Sequence, residues 1–174
     1  MIIRILDFIF SLTLLILLFP LFILIIITII ISSGFPVFFI QPRVGINEKI
    51  FPFIKFRTMT VNNSANNGDS KEYLSMNVNE LKKIRSNYIT TKKNDSRITN
   101  FGKFLRKYSF DELPQLWNVF LGDMSLVGPR PDPPIQKVDY LEILWMERCQ
   151  VKPGITGFAQ IKGRSESTEK ERIS

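Results

Sequence analysis

The sequence predicts an α+β, mostly helical, monotopic membrane protein: an N-terminal re-entrant helix hairpin followed by a small domain on the cytosolic side. Three observations predict it. Residues 8–31 are 24 consecutive positions without a charge, almost all Leu, Ile or Phe. Pro20 interrupts that run near its middle, and basic residues stand on both sides of it. Beyond the run, short apolar stretches of strand and helix period alternate with charged turns.

A helix rises about 1.5 Å per residue, so the uncharged run would be long enough for a hydrocarbon core of roughly 30 Å. Pro20 removes a backbone donor and clashes with the preceding turn, which kinks or breaks the helix there. Arg4 precedes the run, and Arg43, Lys49, Lys55 and Arg57 follow it. Cytoplasmic flanks collect Lys and Arg, and a straight span would put one basic flank on the far side. A hairpin that enters and leaves by one face satisfies both flanks. A kinked span is the alternative, because transmembrane helices tolerate proline. The run is longer than the apolar part of a secretory signal, and Pro36 crowds the small residues Ser32, Ser33 and Gly34, so the segment is expected to be retained.

The chain has 174 residues, enough for one compact domain beside the membrane segment. Its 23 Lys and Arg against 16 Asp and Glu give a net charge of +7, which favours anionic partners such as lipid headgroups, nucleotides or nucleic acid. A basic surface kept soluble by charge accounts for it equally well. Cys149 is the only cysteine, so an intramolecular disulfide and a cysteine-cluster metal site are excluded. There is no histidine, so any catalysis rests on carboxylates, hydroxyls, Lys or Arg. No repeat, Walker-type loop, dinucleotide fingerprint or zinc spacing is present.

Residues 37–40 and 50–56 read as extended pieces joined by a turn through Val44, Gly45, Ile46 and Asn47, a small hairpin near the membrane. Residues 61–69 are Asn-rich without apolar period, a surface loop. Residues 74–89 have mixed helical character, with Leu81, Ile84 and Tyr88 on one stripe. Phe101, Phe104, Leu105 and Tyr108 follow helical spacing opposite Lys103, Arg106 and Lys107, a stripe that reads equally as core or as interfacial contact. Leu113, Leu116, Trp117, Phe120 and Leu121 predict a short helix with one buried face, closed by Gly122. Residues 140–149 are amphipathic, 152–157 turn-rich, and 165–174 polar.

Asp111 and Glu112 open that short helix. With Pro114 in its first turn, Asp111 suits the N-cap, where free N–H groups and the helix dipole would keep both carboxylates ionised. Such a carboxylate can attack phosphorus or hold a divalent cation. Ser109 to Glu112 also match a capping box, a purely structural role. The neighbouring sequence favours chemistry: Pro129 and Pro131 fix the backbone on either side of Arg130 and present its fork rigidly, as phosphate recognition requires. Arg57, Arg106 and Arg130 supply positive charge around the pair, and two adjacent carboxylates with a phosphate substrate invite Mg²⁺.

Taken together, Lys55-Phe56-Arg57-Thr58-Met59, Asn94-Asp95-Ser96-Arg97-Ile98-Thr99, the unbroken run DELPQLWNVFLGDMSLVGPRP at 111–131 and KPGITGFAQI at 152–161 resemble the bacterial sugar transferases, the monotopic polyprenol-phosphate phosphoglycosyl transferases. The resemblance implies a membrane-embedded segment at 1–36, a catalytic domain at 37–164 and a polar tail at 165–174, truncated relative to the family. It implies transfer of a sugar 1-phosphate from a UDP-sugar to a polyprenol phosphate such as undecaprenyl phosphate, with release of UMP, as the initiating step of polysaccharide or glycoconjugate synthesis at the cytoplasmic face of the inner membrane. Asp111 would be the nucleophile and Mg²⁺ ligand and Glu112 its partner. Arg130, Arg106 and Arg57 with Pro129 and Pro131 would bind substrate.

The chain departs from the family pattern in three places. Phe19 precedes Pro20 where Ser-Pro is usual, Phe158 stands where tryptophan is usual, and the family's further helical sequence past Gly163-Arg164, with an acidic position expected to pair with Arg4, is not expected here. An inactive, membrane-anchored scaffold is the competing class. A nucleic-acid binder lacks a recognition helix or aromatic platform, and no nucleic-acid partner is expected.

Overall fold

The computed structural model describes residues 2–60, 76, 78–86 and 95–162. Two helices open the chain, α1 (Ile2–Leu17) and α2 (Phe19–Ser33), and they bend by 60° at the break between them. The break falls at Leu18, and Pro20 lies in the first turn of α2, where its missing N–H leaves no gap. The Leu18 N–H donates to Leu14 O and the Phe22 N–H to Leu18 O, both at 2.9 Å, so hydrogen bonding runs through the bend. At 16 and 15 residues the helices are about 24 and 22 Å long. Among the described residues no single helix is long and apolar enough to cross a membrane, and the bent pair passes that test only together.

The first helix has inverted polarity: its buried residues are Asp7 and Ser11, while Ile9, Phe10 and Ile16 are exposed. Both Asp7 oxygens are satisfied, one by Ser125 Oγ at 2.8 Å and the other by the Leu126 N–H at 3.0 Å. Arg4 donates to the carbonyls of Val119 and Phe120 at 2.6 and 2.7 Å, at the C-terminal end of a later helix. Orphan helix carbonyls and the negative end of a helix dipole thus serve this guanidinium as an acidic side chain would.

Strand β1 (Phe38–Val44) pairs antiparallel with β2 (Ile50–Phe56), in register from Phe38 opposite Phe56 to Val44 opposite Ile50. The first strand is longer than predicted, because Pro42 faces Pro52 and a two-stranded sheet has free edges that tolerate proline. A 3₁₀ turn at Ile46–Glu48 closes the hairpin with Asn47 and Glu48 at positive φ.

Helix α3 (Val78–Ser86) coincides with the middle of the predicted helix at 74–89, and α4 (Asn100–Tyr108) starts on Thr99, whose hydroxyl accepts from the Gly102 N–H at 2.9 Å. A 3₁₀ turn at Phe110–Glu112 leads to α5 (Gln115–Leu121), capped by Gly122 at φ 96°. Strand β3 (Ser125–Val127), a 3₁₀ segment (Pro134–Asp139), α6 (Glu142–Arg148), β4 (Gly154–Thr156) and α7 (Phe158–Lys162) follow. The fold is α+β and mostly helical with two small sheets, as expected. The Asn-rich loop at 61–69 and the tail at 165–174 lie outside the described residues.

Three hydrophobic clusters connect these pieces. Ile25, Ile29, Val37, Phe56 and Leu105 form the first, joining α2 to the open end of the hairpin and to α4. Phe51, Phe53, Val119 and Met124 form the second, between β2 and α5. Val44, Trp145 and Cys149 form the third, under α6. The aromatic stripe of α4 divides: Leu105 is fully buried and Phe101 packs on the first cluster, whereas Phe104 and Tyr108 are exposed.

The buried face of α5 differs from the predicted one. Gln115, Leu116, Asn118 and Val119 are inside, and Trp117 and Leu121 are exposed. Two competing demands explain this. Asn118 is needed within, where Nδ2 donates to Pro52 O at 2.7 Å and Oδ1 accepts from the Ile54 N–H at 3.3 Å. The other side faces α1, with Phe120 stacked on Phe8 at 5.0 Å and tilted against Trp117 at 5.5 Å.

The segment read as turn-rich at 152–157 contains β4, which runs parallel to β3 with Ser125 beside Gly154 and Val127 beside Thr156. Glycine is required there by proximity: a Cβ on Gly154 would lie 2.1 Å from the Gly128 nitrogen, and one on Gly128 would lie 2.4 Å from the Lys152 carbonyl oxygen. Neither backbone can yield cheaply. Gly154→Ala is expected to lower stability by about 2 kcal/mol or more, read as a fall in the thermal midpoint. Gly45→Ala, whose nearest contacts would be at 3.2 Å, should cost less.

Candidate active site

The dyad is carried by a tight corner. Ser109 adopts the left-handed conformation, φ 60°, and ends α4, after which the 3₁₀ turn brings the Glu112 N–H to Ser109 O at 3.1 Å and the Leu113 N–H to Phe110 O at 3.3 Å. The helix α5 begins only after Pro114, and neither it nor the turn has a side-chain cap. Asp111 is therefore not the N-cap of α5, and the capping box is not formed. Phe110 and Leu113, on either side of the dyad, pack on the cluster around Ile25, Ile29 and Leu105, which fixes the corner against α2.

Asp111 is buried. Burial pushes its carboxyl above the ordinary range; the charge of Lys55 opposes this, Glu112 adds to it, and Arg106 again opposes it. The sequence expectation of a carboxylate held ionised by free helix N–H groups meets a different balance, with desolvation leading.

Glu112 accepts from Lys55 Nζ at 2.8 Å, and Arg130 Nη2 lies 3.8 Å from the same oxygen. Burial lowers the Lys55 pKa, while Glu112 supports the charged form. Lys55 shares a face of β2 with Phe51 and Phe53, and its ammonium is 5.1 Å from the Phe53 ring. Sequence reasoning placed it among the flanking cations and in the Lys55–Met59 motif, without assigning it a role at the dyad. Its signal was legible: strand alternation puts a lone charge on the buried face of a Phe-rich strand.

The predicted arginines separate. Arg106, in the last turn of α4, donates Nε to Thr58 Oγ1 at 2.8 Å and contributes its charge at Asp111. Arg130 is half exposed on its loop beside Glu112. Arg57 is buried elsewhere, with Nη2 donating to the carbonyls of Ser33 and Gly34 at 2.6 and 2.5 Å, the end of α2. Pro129 and Pro131 engage the fold through their carbonyls, which accept from the Gly154 N–H at 2.8 Å and from Arg43 at 3.1 Å.

Asp111, Glu112, Lys55, Arg106 and Arg130 thus lie close together, a charge arrangement suited to an anion and to a carboxylate acting on it. Among the described residues no group of three or more Asp, Glu, His or Cys side chains is placed to hold a metal ion. Mg²⁺ is commonly held by one or two carboxylates with substrate phosphates, and Asp111 fits that donor set.

The family described as bacterial sugar transferase matches residues 1–174. The chain is 41% identical over 155 residues to a UDP-glucose:undecaprenyl-phosphate glucose-1-phosphate transferase of Xanthomonas campestris pv. campestris, covering 87% of this chain and 28% of that protein. It is 41% identical over 142 residues to the galactosyl transferase CpsE of Streptococcus agalactiae, covering 82% and 29%. A UDP-glucose:undecaprenyl-phosphate glucose-1-phosphate transferase of Klebsiella pneumoniae is 40% identical over 173 residues, covering 98% and 33%. The chain spans about a third or less of the length of these relatives, and the part they share contains the dyad and the loop of Arg130. The chain belongs to the bacterial sugar transferase family.

Proposed function

We propose that the chain transfers a sugar 1-phosphate from a UDP-sugar to a polyprenol phosphate such as undecaprenyl phosphate, releasing UMP and initiating a polysaccharide or glycoconjugate. The observation that carries this reading is the buried Asp111 carboxyl amid Lys55, Glu112 and Arg106, with Arg130 beside Glu112. No specific observation favours the inactive scaffold.

In the proposed first step an Asp111 oxygen attacks the β-phosphorus of the donor. An aspartyl–phosphosugar bond forms, the bond to the bridging oxygen breaks, and UMP leaves with that oxygen. In the second step an oxygen of the polyprenol phosphate attacks the same phosphorus and the Asp111 carboxylate is regenerated. Glu112 would assist deprotonation of the acceptor phosphate, and Lys55, Arg106 and Arg130 would hold the anionic groups. Bound Mg²⁺, held by Asp111 and the diphosphate, would supply charge neutralisation at the leaving group. Arg57 would contribute to binding indirectly, through the end of α2.

The inverted polarity of α1, with Asp7 and Ser11 inside and Ile, Leu and Phe outside, supports a lipid-facing hairpin in the cytoplasmic membrane with the domain on the cytoplasmic side. Cysteine labelling at position 2 or 3 in a Cys149→Ser background tests it. Protection from reagents outside intact cells is expected, and labelling from outside would sink the hairpin.

Detergent-solubilised protein with Mg²⁺, UDP-sugars and undecaprenyl phosphate should release UMP. Asp111→Asn is expected to lose on the order of 10⁴-fold or more, and Glu112→Gln about 10²–10⁴-fold. If wild type does not exceed Asp111→Asn with any donor, the proposal fails.

Activity requires ionised Asp111, so the acid limb of the pH–rate profile should stand above the ordinary carboxylate range. Lys55→Met removes the leading charge that opposes the upward shift and should move that limb to higher pH. Stability follows with the opposite sense. A carboxyl whose pKa is raised on folding contributes stability below its unfolded pKa and loses it as pH rises through the folded value. Asp111→Asn, which cannot ionise, should therefore melt higher than wild type near neutrality, with the difference vanishing in acid.

A further inference from the structure

We propose that Arg148, at the end of α6, is a positioning residue that clamps the Pro129–Pro131 loop so that Arg130 is presented to Glu112; this rests on the donor-binding role proposed for Arg130. Four successive carbonyls of the loop are each held by a different group. Pro129 O accepts from the Gly154 N–H at 2.8 Å, Pro131 O from Arg43 at 3.1 Å, and Asp132 O from the Val44 N–H at 2.9 Å. The carbonyl of Arg130 itself is held by Arg148 Nη2 at 2.6 Å.

The same Arg148 nitrogen lies 2.9 Å from Asp132 Oδ2, so one guanidinium joins a backbone hydrogen bond to an ion pair. Tyr140 completes the clamp: its hydroxyl donates to Asp132 Oδ2 at 2.7 Å and its ring lies 5.3 Å from the Arg148 guanidinium carbon. Trp145 and Cys149 back the arrangement from within. Between Val44, Pro129, Arg130 and Arg148 there is a cavity of about 10 Å³, room for about one water.

The consequence is mechanical. The Arg130 side chain is half exposed and reaches Glu112 only at 3.8 Å, which is weak direct restraint. Its guanidinium is directed mainly by where its backbone is fixed. Loss of Arg148 frees one carbonyl and leaves Asp132 with a single side-chain partner on that oxygen, and small misplacements of a binding group are costly.

UMP release should be measured for wild type, Arg148→Gln, Arg130→Ala and the double variant, with Arg85→Gln, which breaks the surface pair to Asp139, as control. Arg148→Gln is expected to lower kcat/KM for the UDP-sugar roughly 10- to 100-fold. Because Arg148 acts through Arg130, it should add less than about twofold in the Arg130→Ala background. Losses that multiply would overturn the proposal. Amide exchange at Val44 and Gly154 reads the clamp without activity: it should accelerate in Arg148→Gln and stay as in wild type in Arg85→Gln. If wild type releases no UMP, the proposed function fails and exchange alone decides the clamp, acceleration supporting it and no change overturning it.

Discussion

Burial of Phe56 and Leu105 against Ile25 and Ile29 is the contact on which the rest of the structure depends. It joins an apolar helix, the open end of a β-hairpin and a basic helix in one cluster, and Phe110 and Leu113 extend it on both sides of the dyad. A fully buried Phe or Leu side chain contributes about 1.5–3 kcal/mol. Phe110 and Leu113, partly buried on either side of Asp111, tie the corner to that cluster. Arg57 reinforces the same junction by closing the end of α2. Anything that shifts the hairpin shifts Asp111 with it.

Much of the architecture was legible because it rests on period and punctuation. The uncharged run, its proline break, the strand at 50–56, the helix carrying Phe101 and Leu105, and Gly122 as a cap all follow from local rules. The break came at Leu18 because proline is best accommodated just inside a helix start, not at the bend itself. Local rules failed where tertiary partners decided. Asn118 is inside α5 because a sheet carbonyl and N–H await it. Strand β4 was hidden because its pairing with β3 is distant in sequence and its glycines read as turns.

The site divides along the same line. Composition and context singled out the dyad, Arg106 and Arg130, and the fold brings their charges close together. Lys55 was missed because a lysine next to an apolar run has a ready explanation as a flank, and only strand parity sets it apart. Arg57 drew attention as one more cation, yet its bonds go to helix carbonyls. Charge count identifies a basic site but does not assign individual cations to it. That assignment requires knowing which orphan backbone groups compete for them.

The same competition explains α1. A helix with Asp7 at 5% exposure and Ser11 at 0%, and with isoleucine and phenylalanine outward, would be unstable as an isolated element in water. Its polar groups are matched one by one: Asp7 by Ser125 and Leu126, Arg4 by Val119 and Phe120. These partners lie on β3 and the end of α5, so the first helix is fastened beside the segment that follows the dyad. The second helix is fastened to the segment that precedes it, through Leu105 and Phe101. The two arms of the bent pair thus grip the corner that carries Asp111 from opposite sides in sequence, and a helix pair fastened this way sets the position of Asp111 relative to its own apolar surface. In a lipid interface the depth of the carboxyl would follow from the geometry of the hairpin, with no further element needed to specify it.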